Sequence, residues 1–282
     1  MKDFKDKVAV VTGGASGIGR GLAERFASEG MKIVLADVEE KALKQAEAEF
    51  REKGVDVLGV QTDVSKPEAL EKLAQETLAA FGGVHIVCNN AGVAGAWGPI
   101  WENTLDDWNW IMGVNLWGVI HGMRTFLPIM LKQDEEGHIV NTASLAGLMT
   151  GSGIYGVTKQ AVVALSESMF NDLKLANAKI GVSVLCPGWV NTSILDAARN
   201  RPAELAHTAV PQVDAERLQA MEEAVRNFLK TGKSPAEIAD QVLQAIRDEK
   251  LYVITHPEMD FIFRDRFEKI MARENPVPRM LG

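Results

Sequence analysis

The sequence predicts an α/β fold, a doubly wound parallel sheet of seven strands with helices on both faces. Short runs rich in Val and Ile alternate with longer segments of helical periodicity from residue 8 nearly to the end. Most of these runs are continuously apolar, which is typical of strands buried on both faces of a parallel sheet. Alternation of this kind implies right-handed crossover connections.

The strands and helices follow from these two patterns. The predicted strands cover residues 8–12, 32–36, 55–61, 84–89, 138–142, 181–185 and 251–255. The predicted helices lie near residues 17–30, 40–53, 67–81, 104–132, 154–177 and 235–249. Ser65 and Ser234 each precede a proline and a glutamate in the pattern of a capping box, so both are predicted to cap the helix that follows.

The alternation is interrupted once, between Pro187 and Lys233. A long connection with its own helical stretch, near residues 214–230, precedes the last crossover helix. Connections of this length inside a compact domain are usually functional lids or disordered segments. We therefore predict one domain over residues 1–282, with a lid over residues 189–232 that closes over the ligand and hinges at Pro187-Gly188.

Composition and charge exclude several classes of protein. The 282 residues are 46% hydrophobic and 24% charged, and the net charge of −8 disfavours a nucleic-acid or anionic-membrane partner. No stretch reaches the ~20 apolar residues of a membrane span, and the charged opening shows no signal-peptide pattern. These features predict a cytoplasmic protein with neither a membrane nor a nucleic-acid partner.

Cysteine and histidine give no sign of a metal site. Cys88 and Cys186 both end apolar runs, a position that favours buried free thiols over a disulfide or a ligand. The five histidines lack the spacing of metal ligands. We therefore predict that the protein binds no metal.

A glycine-rich turn, Thr12-Gly13-Gly14-Ala15-Ser16-Gly17-Ile18-Gly19, joins the first strand to the first helix. A side chain there would hold a pyrophosphate away from the backbone amides and the helix N-terminus. A plain tight turn would explain the same residues. However, Asp37 ends the second strand, where a carboxylate can accept hydrogen bonds from ribose hydroxyls. The turn and Asp37 together predict dinucleotide binding.

Further motifs follow along the chain in a fixed order. They are Asn89-Asn90-Ala91-Gly92 after the fourth strand, Asn115 within a helix, Ser144, Tyr155-x-x-x-Lys159, and Pro187-Gly188 after the sixth strand. With the glycine turn, they resemble the short-chain dehydrogenase/reductase family over roughly residues 5–255. The resemblance implies a Rossmann fold and a nicotinamide-dependent oxidoreductase that interconverts an alcohol and a ketone.

The resemblance also implies roles for individual residues. The catalytic residues would be Asn115, Ser144, Tyr155 and Lys159, with Asn115 interrupting its helix to seat a proton-relaying water. The cofactor-binding residues would be Gly13, Ser16, Gly17, Ile18, Gly19, Asp37, Asp63, Val64, Asn90, Ala91, Gly92, Tyr155, Lys159, Pro187, Gly188, Val190 and Thr192. Ser144 and Tyr155 stand closer in sequence than is usual in the family, which should trim the rim of the pocket.

Tyr155 and Lys159 lie one helical turn apart, on one face of a helix. A phenol with a pKa near 10 is a poor base at neutral pH. A neighbouring ammonium and an oxidised nicotinamide, both positive, favour the phenolate and lower this pKa. We therefore expect Tyr155 to exchange a proton with the substrate oxygen, which the Ser144 hydroxyl stabilises.

The substrate pocket is predicted at the carboxyl edge of the sheet, where ligands bind in open α/β folds. The residues expected there are Ser144, Leu145, Trp97, Trp189, Ile194 and Leu195. The two tryptophans could equally serve in packing. An apolar lining without a fixed cation favours a neutral, bulky or apolar secondary alcohol, and the resemblance extends to a branch of the family with such substrates.

The cofactor is predicted to be NAD, with NADP disfavoured. Asp37 is followed by Val38-Glu39-Glu40, and position 16 is serine where a basic residue would serve NADP. Arg20 is the only arginine close in sequence, and we expect it on the helix surface. Two alternatives remain open: an NADPH-dependent reductase, and a catalytically idle dinucleotide-binding sensor or scaffold.

Surplus apolar residues on the helices near 104–132 and 154–177 suggest a second buried surface. These residues are Trp117, Val162, Leu165, Met169 and Phe170. By resemblance the two helices would pair between subunits, so we expect a homodimer or a homotetramer.

Overall fold

The structure is a computed structural model that describes residues 1–95, 98–206 and 215–277. Within these ranges the centre is a seven-stranded sheet in which every adjacent pair of strands is parallel, in the order β3-β2-β1-β4-β5-β6-β7. The strands are β1 (Val8–Thr12), β2 (Lys32–Asp37), β3 (Val57–Gln61), β4 (Ile86–Asn89), β5 (Gly137–Thr142), β6 (Ile180–Cys186) and β7 (Tyr252–Ile254). The predicted fold class is confirmed.

Helices cover both faces of this sheet. In the described part of the chain they are α1 (Gly17–Ser28), α2 (Glu40–Glu52), α3 (Pro67–Phe81), α4 (Leu105–Met112), α5 (Gly118–Gln133), α6 (Gly153–Leu175), α7 (Ala215–Thr231), α8 (Pro235–Arg247) and α9 (Asp260–Ala272). The helix α9 was not predicted from the sequence.

The core has two main layers, one on each face of the sheet. On one face Phe26 of α1 and Phe50 of α2 are buried with α8, and on the other Phe126 of α5 is buried with α3 and α6. Every residue of β1 is buried, because helices pack on both of its faces. This two-sided burial explains the continuously apolar strands. The strand order reverses between β1 and β4, and the carboxyl ends of the strands open into a crevice there.

The predicted helix over 104–132 is wrong as a single α-helix. The structure has α4, a π-helical turn (Gly113–Trp117) and then α5. Thr104 caps α4 through a capping box with Asp107. The wide turn is centred on Asn115, whose side chain bonds to the backbone of Val93 in a neighbouring loop. The prediction that Asn115 interrupts its helix is therefore confirmed.

Of the two predicted serine caps, one is present. Ser234 caps α8 in a reciprocal capping box with Glu237. The Ser65 prediction is wrong, because α3 is preceded by Lys66 and the Ser65 hydroxyl donates to the Asp63 carboxylate at 2.7 Å. A charged acceptor two residues back satisfies this hydroxyl, and the helix begins one residue later than a serine cap requires.

Part of the predicted lid, residues 207–214, lies outside the described residues. The described part contains two 3₁₀ turns (Ile194–Asn200 and Ala203–Leu205) and α7. The base of the segment is fastened, since Val190 pairs with Lys233 and Gly188 N–H donates to His256 Nδ1 at 3.2 Å. These contacts fix the base of the segment, and its closure by a hinge at Pro187-Gly188 stays a prediction.

The apolar surplus on α4, α5 and α6 is mostly used inside the chain. Val162 and Met169 are buried, and Leu165 and Phe170 pack against the core, because α6 contacts both the sheet and the π-helical turn. Trp117 alone of these five remains 48% exposed. Surplus apolar residues were therefore weak support for a subunit interface.

Three sequence expectations, on the cysteines, on membrane spans and on metal ligands, can be compared with the described ranges. Cys88 and Cys186 are both buried free thiols. Within those ranges, no helix combines the length and hydropathy that a membrane crossing needs. No group of three metal-ligating side chains lies together among the same residues.

Candidate active site

A cavity of about 980 Å³ opens at the carboxyl ends of the strands, across the point where the strand order reverses. The glycine turn and Asp37 line one end of it. Ser144, Tyr155 and Lys159 line the other. The tertiary structure thus brings the two sets of predicted residues, which are far apart in the sequence, into one continuous cavity.

The backbone of the glycine turn adopts conformations that suit glycine. Gly13 and Gly17 have φ angles of 64° and 53°, in the left-handed region. Both line the cavity, together with Ser16 and Ile18. Gly19 is not among the lining residues, and a Cβ atom at this residue would lie 2.1 Å from the Gly13 carbonyl oxygen. Gly19 therefore packs closely beneath the turn, and its contact with the cofactor stays a prediction.

Asp37 is fixed beside the glycine turn. Its carboxylate accepts hydrogen bonds from the backbone N–H of Ala15 and of Glu39, both at 3.1 Å. Burial raises the pKa of this carboxyl group, while the two backbone N–H groups oppose the shift. The carboxylate is thus oriented by the turn that it faces.

The Asn89-Asn90-Ala91-Gly92 segment is tied to the glycine turn through Thr12. The Thr12 hydroxyl accepts from the backbone N–H of Asn90 at 2.9 Å and of Ala91 at 3.0 Å. Asn90 Nδ2 donates to the Thr12 carbonyl at 3.0 Å, and its Oδ1 accepts from Thr142 Oγ1 at 3.2 Å. These bonds hold the ends of β1, β4 and β5 in one fixed arrangement.

The Asn115 side chain bonds to the loop that follows β4. It is fully buried and does not line the cavity. Its carboxamide accepts from Val93 N–H at 2.8 Å and donates to the Val93 carbonyl at 2.9 Å. A Cβ atom on Gly92 would lie 3.4 Å from both Asn115 Oδ1 and Lys159 Nζ. The side chain therefore positions the loop beside Lys159, and its role in seating a proton-relaying water stays a prediction.

Ser144, Tyr155 and Lys159 converge from β5 and α6. The Lys159 ammonium donates to the Thr142 carbonyl at 2.9 Å and lies 5.5 Å from the centroid of the Tyr155 ring. The Ser144 hydroxyl accepts from Ala146 N–H at 3.1 Å and lies beside Tyr155. The three side chains face the cavity with their polar atoms together.

Burial dominates the protonation of this cluster. It raises the pKa of the Tyr155 hydroxyl, and the hydrogen bond with Ser144 only partly opposes that shift. Burial also lowers the pKa of the Lys159 ammonium to about 8. The lowering of the phenol pKa was expected from the Lys159 ammonium and an oxidised nicotinamide together. In the chain without a ligand, desolvation outweighs the ammonium.

Most of the other predicted contact residues line the same cavity. They are Asp63, Val64, Asn90, Ala91, Gly92, Pro187, Gly188, Val190 and Thr192 on the expected cofactor side, and Leu145, Trp189, Ile194 and Leu195 on the expected substrate side. Trp189 stacks on Phe228 of α7, with ring centroids 5.2 Å apart. Trp97 lies outside the described residues.

The adenosine end carries a base that the sequence did not predict. Arg199 Nη2 and Asn200 Nδ2, from the lid segment, both donate to the Glu39 carboxylate, the latter at 2.8 Å. Arg20, expected on the helix surface, is indeed engaged there with Glu24 and Glu49. The expectation of a purely acidic adenosine end is therefore wrong, because the fold brings Arg199 to it.

A second arginine fixes the lid segment at the other side of the cavity. Arg201 forms an ion pair of 2.7 Å with Asp107, whose side chain is fully buried. The guanidinium also lies over the ring of Trp110, 5.0 Å from its centroid. The Asp107 carboxylate accepts from Thr104 N–H at 2.8 Å as well. The segment after Asn200 is thus anchored to the start of α4.

Comparison with known proteins identifies the family. A sequence model of the family described as short chain dehydrogenase matches residues 7–203, well over half of the chain. The chain is a short-chain dehydrogenase/reductase. Membership of this family makes it an oxidoreductase of the alcohol and ketone type.

Individual members of the family are similar over nearly the whole chain. The CLA biosynthesis dehydrogenase/reductase of Lactiplantibacillus plantarum is 36% identical over 278 residues, which cover 98% of this chain and 97% of the relative. The C alpha-dehydrogenase of Sphingobium sp. (strain NBRC 103272 / SYK-6) is 37% identical over 279 residues, which cover 98% of this chain and 89% of the relative. A short-chain dehydrogenase/reductase from Burkholderia phymatum, crystallised in complex with NAD, is 44% identical with a TM-score of 0.95 and full coverage of both chains.

This short-chain dehydrogenase/reductase also has cavity residues that the sequence analysis missed. They are Met149 after β5, Met221, Val225 and Leu229 of α7, and Met259 before α9. The three residues of α7 recur at every fourth position, so a helical stripe in the lid could have indicated them. The His256 side chain bonds through Nε2 to the Trp189 carbonyl at 3.0 Å and so supports the Pro187-Gly188 turn.

No pattern in the neighbouring sequence indicates this role for His256.

Proposed function

We propose that this protein is an NAD-dependent oxidoreductase that interconverts a neutral, bulky or apolar secondary alcohol and its ketone. One observation carries the proposal: a single cavity joins a glycine-lined end with an oriented carboxylate to a Ser144–Tyr155–Lys159 cluster. The glycine-lined end with its carboxylate suits a dinucleotide, and the Ser144–Tyr155–Lys159 cluster suits proton exchange with an alcohol.

The residues present fit a dinucleotide. Gly13 and Gly17 line the cavity and carry no side chains, so a pyrophosphate could approach the backbone N–H groups at the start of α1. Asp37 would accept from the adenosine ribose hydroxyls, and Lys159 would hold the nicotinamide ribose. The NAD bound to the Burkholderia phymatum relative supports this cofactor.

Tyr155 is proposed as the general acid and base. In the oxidation direction its phenol oxygen accepts the proton of the substrate alcohol, and in the reduction direction it returns that proton to the ketone oxygen. When bound, the oxidised nicotinamide supplies the hydride acceptor and a positive charge. Burial raises the pKa of Tyr155, so the phenolate needs nearby positive charge, and the Lys159 ammonium provides part of it.

Ser144 and Asn115 have supporting roles in this proposal. The Ser144 hydroxyl lies beside Tyr155 and can donate to the same substrate oxygen, which stabilises charge developing there. Asn115 is proposed as a positioning residue rather than a catalytic one. It holds the Val93 backbone, and with it the loop that packs against Lys159.

The substrate class follows from the lining of the cavity beyond Tyr155. Leu145, Ile194 and Leu195 are joined there by Met149, Met221 and Met259. Methionine side chains are flexible and adapt to irregular apolar shapes. Such a wall favours a bulky apolar alcohol over a small or charged one. The described residues of the proposed lid, 189–206 and 215–232, supply several of these side chains.

The NADPH-dependent reductase is the second candidate, and Arg199 is the observation that favours it, since guanidinium groups bind phosphates. We place it second because Arg199 is engaged by Glu39. The idle sensor or scaffold finds no support in a site whose proton-transfer residues are all present.

Turnover of a panel of secondary alcohols and ketones with NAD(H) and NADP(H), followed by nicotinamide absorbance, tests the proposal. Absence of turnover with every pair would contradict it.

A further inference from the structure

The loop between β2 and α2 carries two acidic residues with different partners. Asp37 accepts hydrogen bonds from backbone N–H groups, whereas the Glu39 carboxylate binds the side chains of Arg199 and Asn200. Glu39 N–H donates to Asp37 Oδ1 at 3.1 Å, so the two residues are in direct contact. Asp37, Glu39, Arg199 and Asn200 all line the same end of the cavity.

Arg199 is the basic group that could alter the selectivity of this end. A guanidinium binds phosphate oxygens through paired N–H donors, and the long side chain of arginine can reorient to reach them. Here Nη1 donates to the Asp196 carbonyl at 2.7 Å and Nη2 donates to Glu39. Its positive charge is therefore already matched by a carboxylate. The Arg199 side chain remains 42% exposed, so it has room to turn toward another anion if the contact with Glu39 is lost.

Resting on the proposed dinucleotide site, we infer that Glu39 is a second residue that determines cofactor specificity. It holds Arg199 and offsets its charge, so that the guanidinium does not serve as a partner for the 2′-phosphate of NADP. Asp37 then excludes the phosphate by repulsion, and Glu39 excludes it by occupying the only arginine that, among the described residues, lines the cavity. The contact with Arg199 also lowers the pKa of Glu39, which keeps this carboxyl group charged at neutral pH.

Three variants separate this role from a general effect of charge. Glu39→Gln removes the charge and keeps an oxygen acceptor. Glu40→Gln is the matched control, because Glu40 is the next residue, pairs with Lys44 and does not line the cavity. The double variant Glu39→Gln/Arg199→Ala removes the guanidinium that the first change releases. Lys66, which also lines the cavity, is unchanged in all three.

The measurement is isothermal titration calorimetry of NAD⁺ and of NADP⁺ into the full-length protein, without substrate. We expect Glu39→Gln to strengthen NADP⁺ binding about tenfold, the size of one charge-assisted contact at a half-exposed site, and to leave NAD⁺ within about threefold. Glu40→Gln should leave both affinities within about twofold, since its charge is already paired on the helix surface. The double variant should lose the gain.

Four results would overturn the inference. They are an unchanged NADP⁺ to NAD⁺ ratio in Glu39→Gln, an equal gain in Glu40→Gln, a gain that survives in the double variant, or equal weakening of both nucleotides. The last would show that Glu39 only fastens the lid segment. A wild-type protein that binds neither nucleotide would instead contradict the proposed function, and this inference with it.

Discussion

The Asp37 carboxylate accepts a hydrogen bond of 3.1 Å from the backbone N–H of Ala15, which lies in the glycine turn. The end of β2 and the turn after β1 are thereby joined into one surface, because β1 and β2 are neighbours in the sheet. Asp37 is 9% exposed and cannot move away from a ligand without breaking this bond. Its orientation is therefore set before any cofactor arrives.

Wild-type protein should prefer NAD(H) to NADP(H) by at least about tenfold in kcat/KM. At ~4 Å, a 2′-phosphate would meet a repulsion from Asp37 of about 1 to 4 kcal/mol per unit charge, and it would lose ribose hydrogen bonds of about 1.5–3 kcal/mol. Asp37→Ser/Val38→Arg should narrow or reverse the preference. Steady-state kinetics with both cofactors measures it. Equal kcat/KM for NADPH and NADH in the wild type would show that Asp37 does not discriminate between the two cofactors at the adenosine ribose.

Tyr155→Phe should lower turnover by about 10²–10⁴, the range for loss of a general acid and base. The ring is retained and only the hydroxyl is removed, so nucleotide affinity measured by calorimetry should change little. Tyr252→Phe is the matched control, because Tyr252 bonds to Glu167 at the other end of β7, and it does not line the cavity. Near-normal turnover in Tyr155→Phe would remove Tyr155 from the mechanism.

Lys159 should make stability depend on pH in a defined window. Burial lowers its pKa from 10.5 to about 8 in the folded chain, so between these values the unfolded chain binds more protons and stability rises with pH. From pH 8 to pH 10 the free energy of unfolding should rise by roughly 2 kcal/mol more in the wild type than in Lys159→Met. Urea unfolding of both proteins without ligand checks this difference. Parallel pH profiles would mean that Lys159 titrates normally.

Arg201→Met should destabilise the protein by about 3 kcal/mol, because it removes the guanidinium partner of a fully buried carboxylate. Asp107→Asn in addition should restore part of the loss, since the buried charge is then gone. The exposed pair of Arg199 and Glu39 supplies the control, and Arg199→Met should cost less than about 1 kcal/mol. Hydrogen exchange of residues 194–206 should accelerate in Arg201→Met. Equal urea midpoints for the two arginine variants would argue against the anchoring role.

Subunit pairing is expected through the exposed part of α5. Trp117 lies at the start of this helix, 48% exposed and 5.8 Å from His121, in a groove lined by Leu78 and Ile129. Static light scattering should give the mass of a dimer or tetramer for the wild type, and Trp117→Glu should shift it toward the monomer. Trp101→Glu is the control, because Trp101 is 82% exposed but precedes α4. A monomeric wild type at micromolar concentration would exclude the pairing.

Local patterns in the sequence were sufficient for the sheet and for most of the catalytic end. Strands such as β1 are buried on both faces, so their apolar residues form unbroken runs that can be recognised without the fold. Tyr155 and Lys159 are one helical turn apart, so their spacing alone places them on one face. The Ser65 prediction failed, because the Ser65 hydroxyl donates to the nearby Asp63 carboxylate and does not accept from the N–H groups at the start of α3.

The sequence by itself determined the parallel sheet, the glycine turn, the Asp37 carboxylate and the order of the proposed catalytic residues. Only the tertiary structure decided that Arg199 meets Glu39, that Arg201 pairs with Asp107 and that Asn115 serves the Val93 backbone. The physical reason is the range of the interaction. Burial and helical periodicity produce repeating patterns of apolar residues that can be recognised in the sequence. An ion pair between residues far apart in the sequence produces no such pattern, because its two charges meet only in the folded chain.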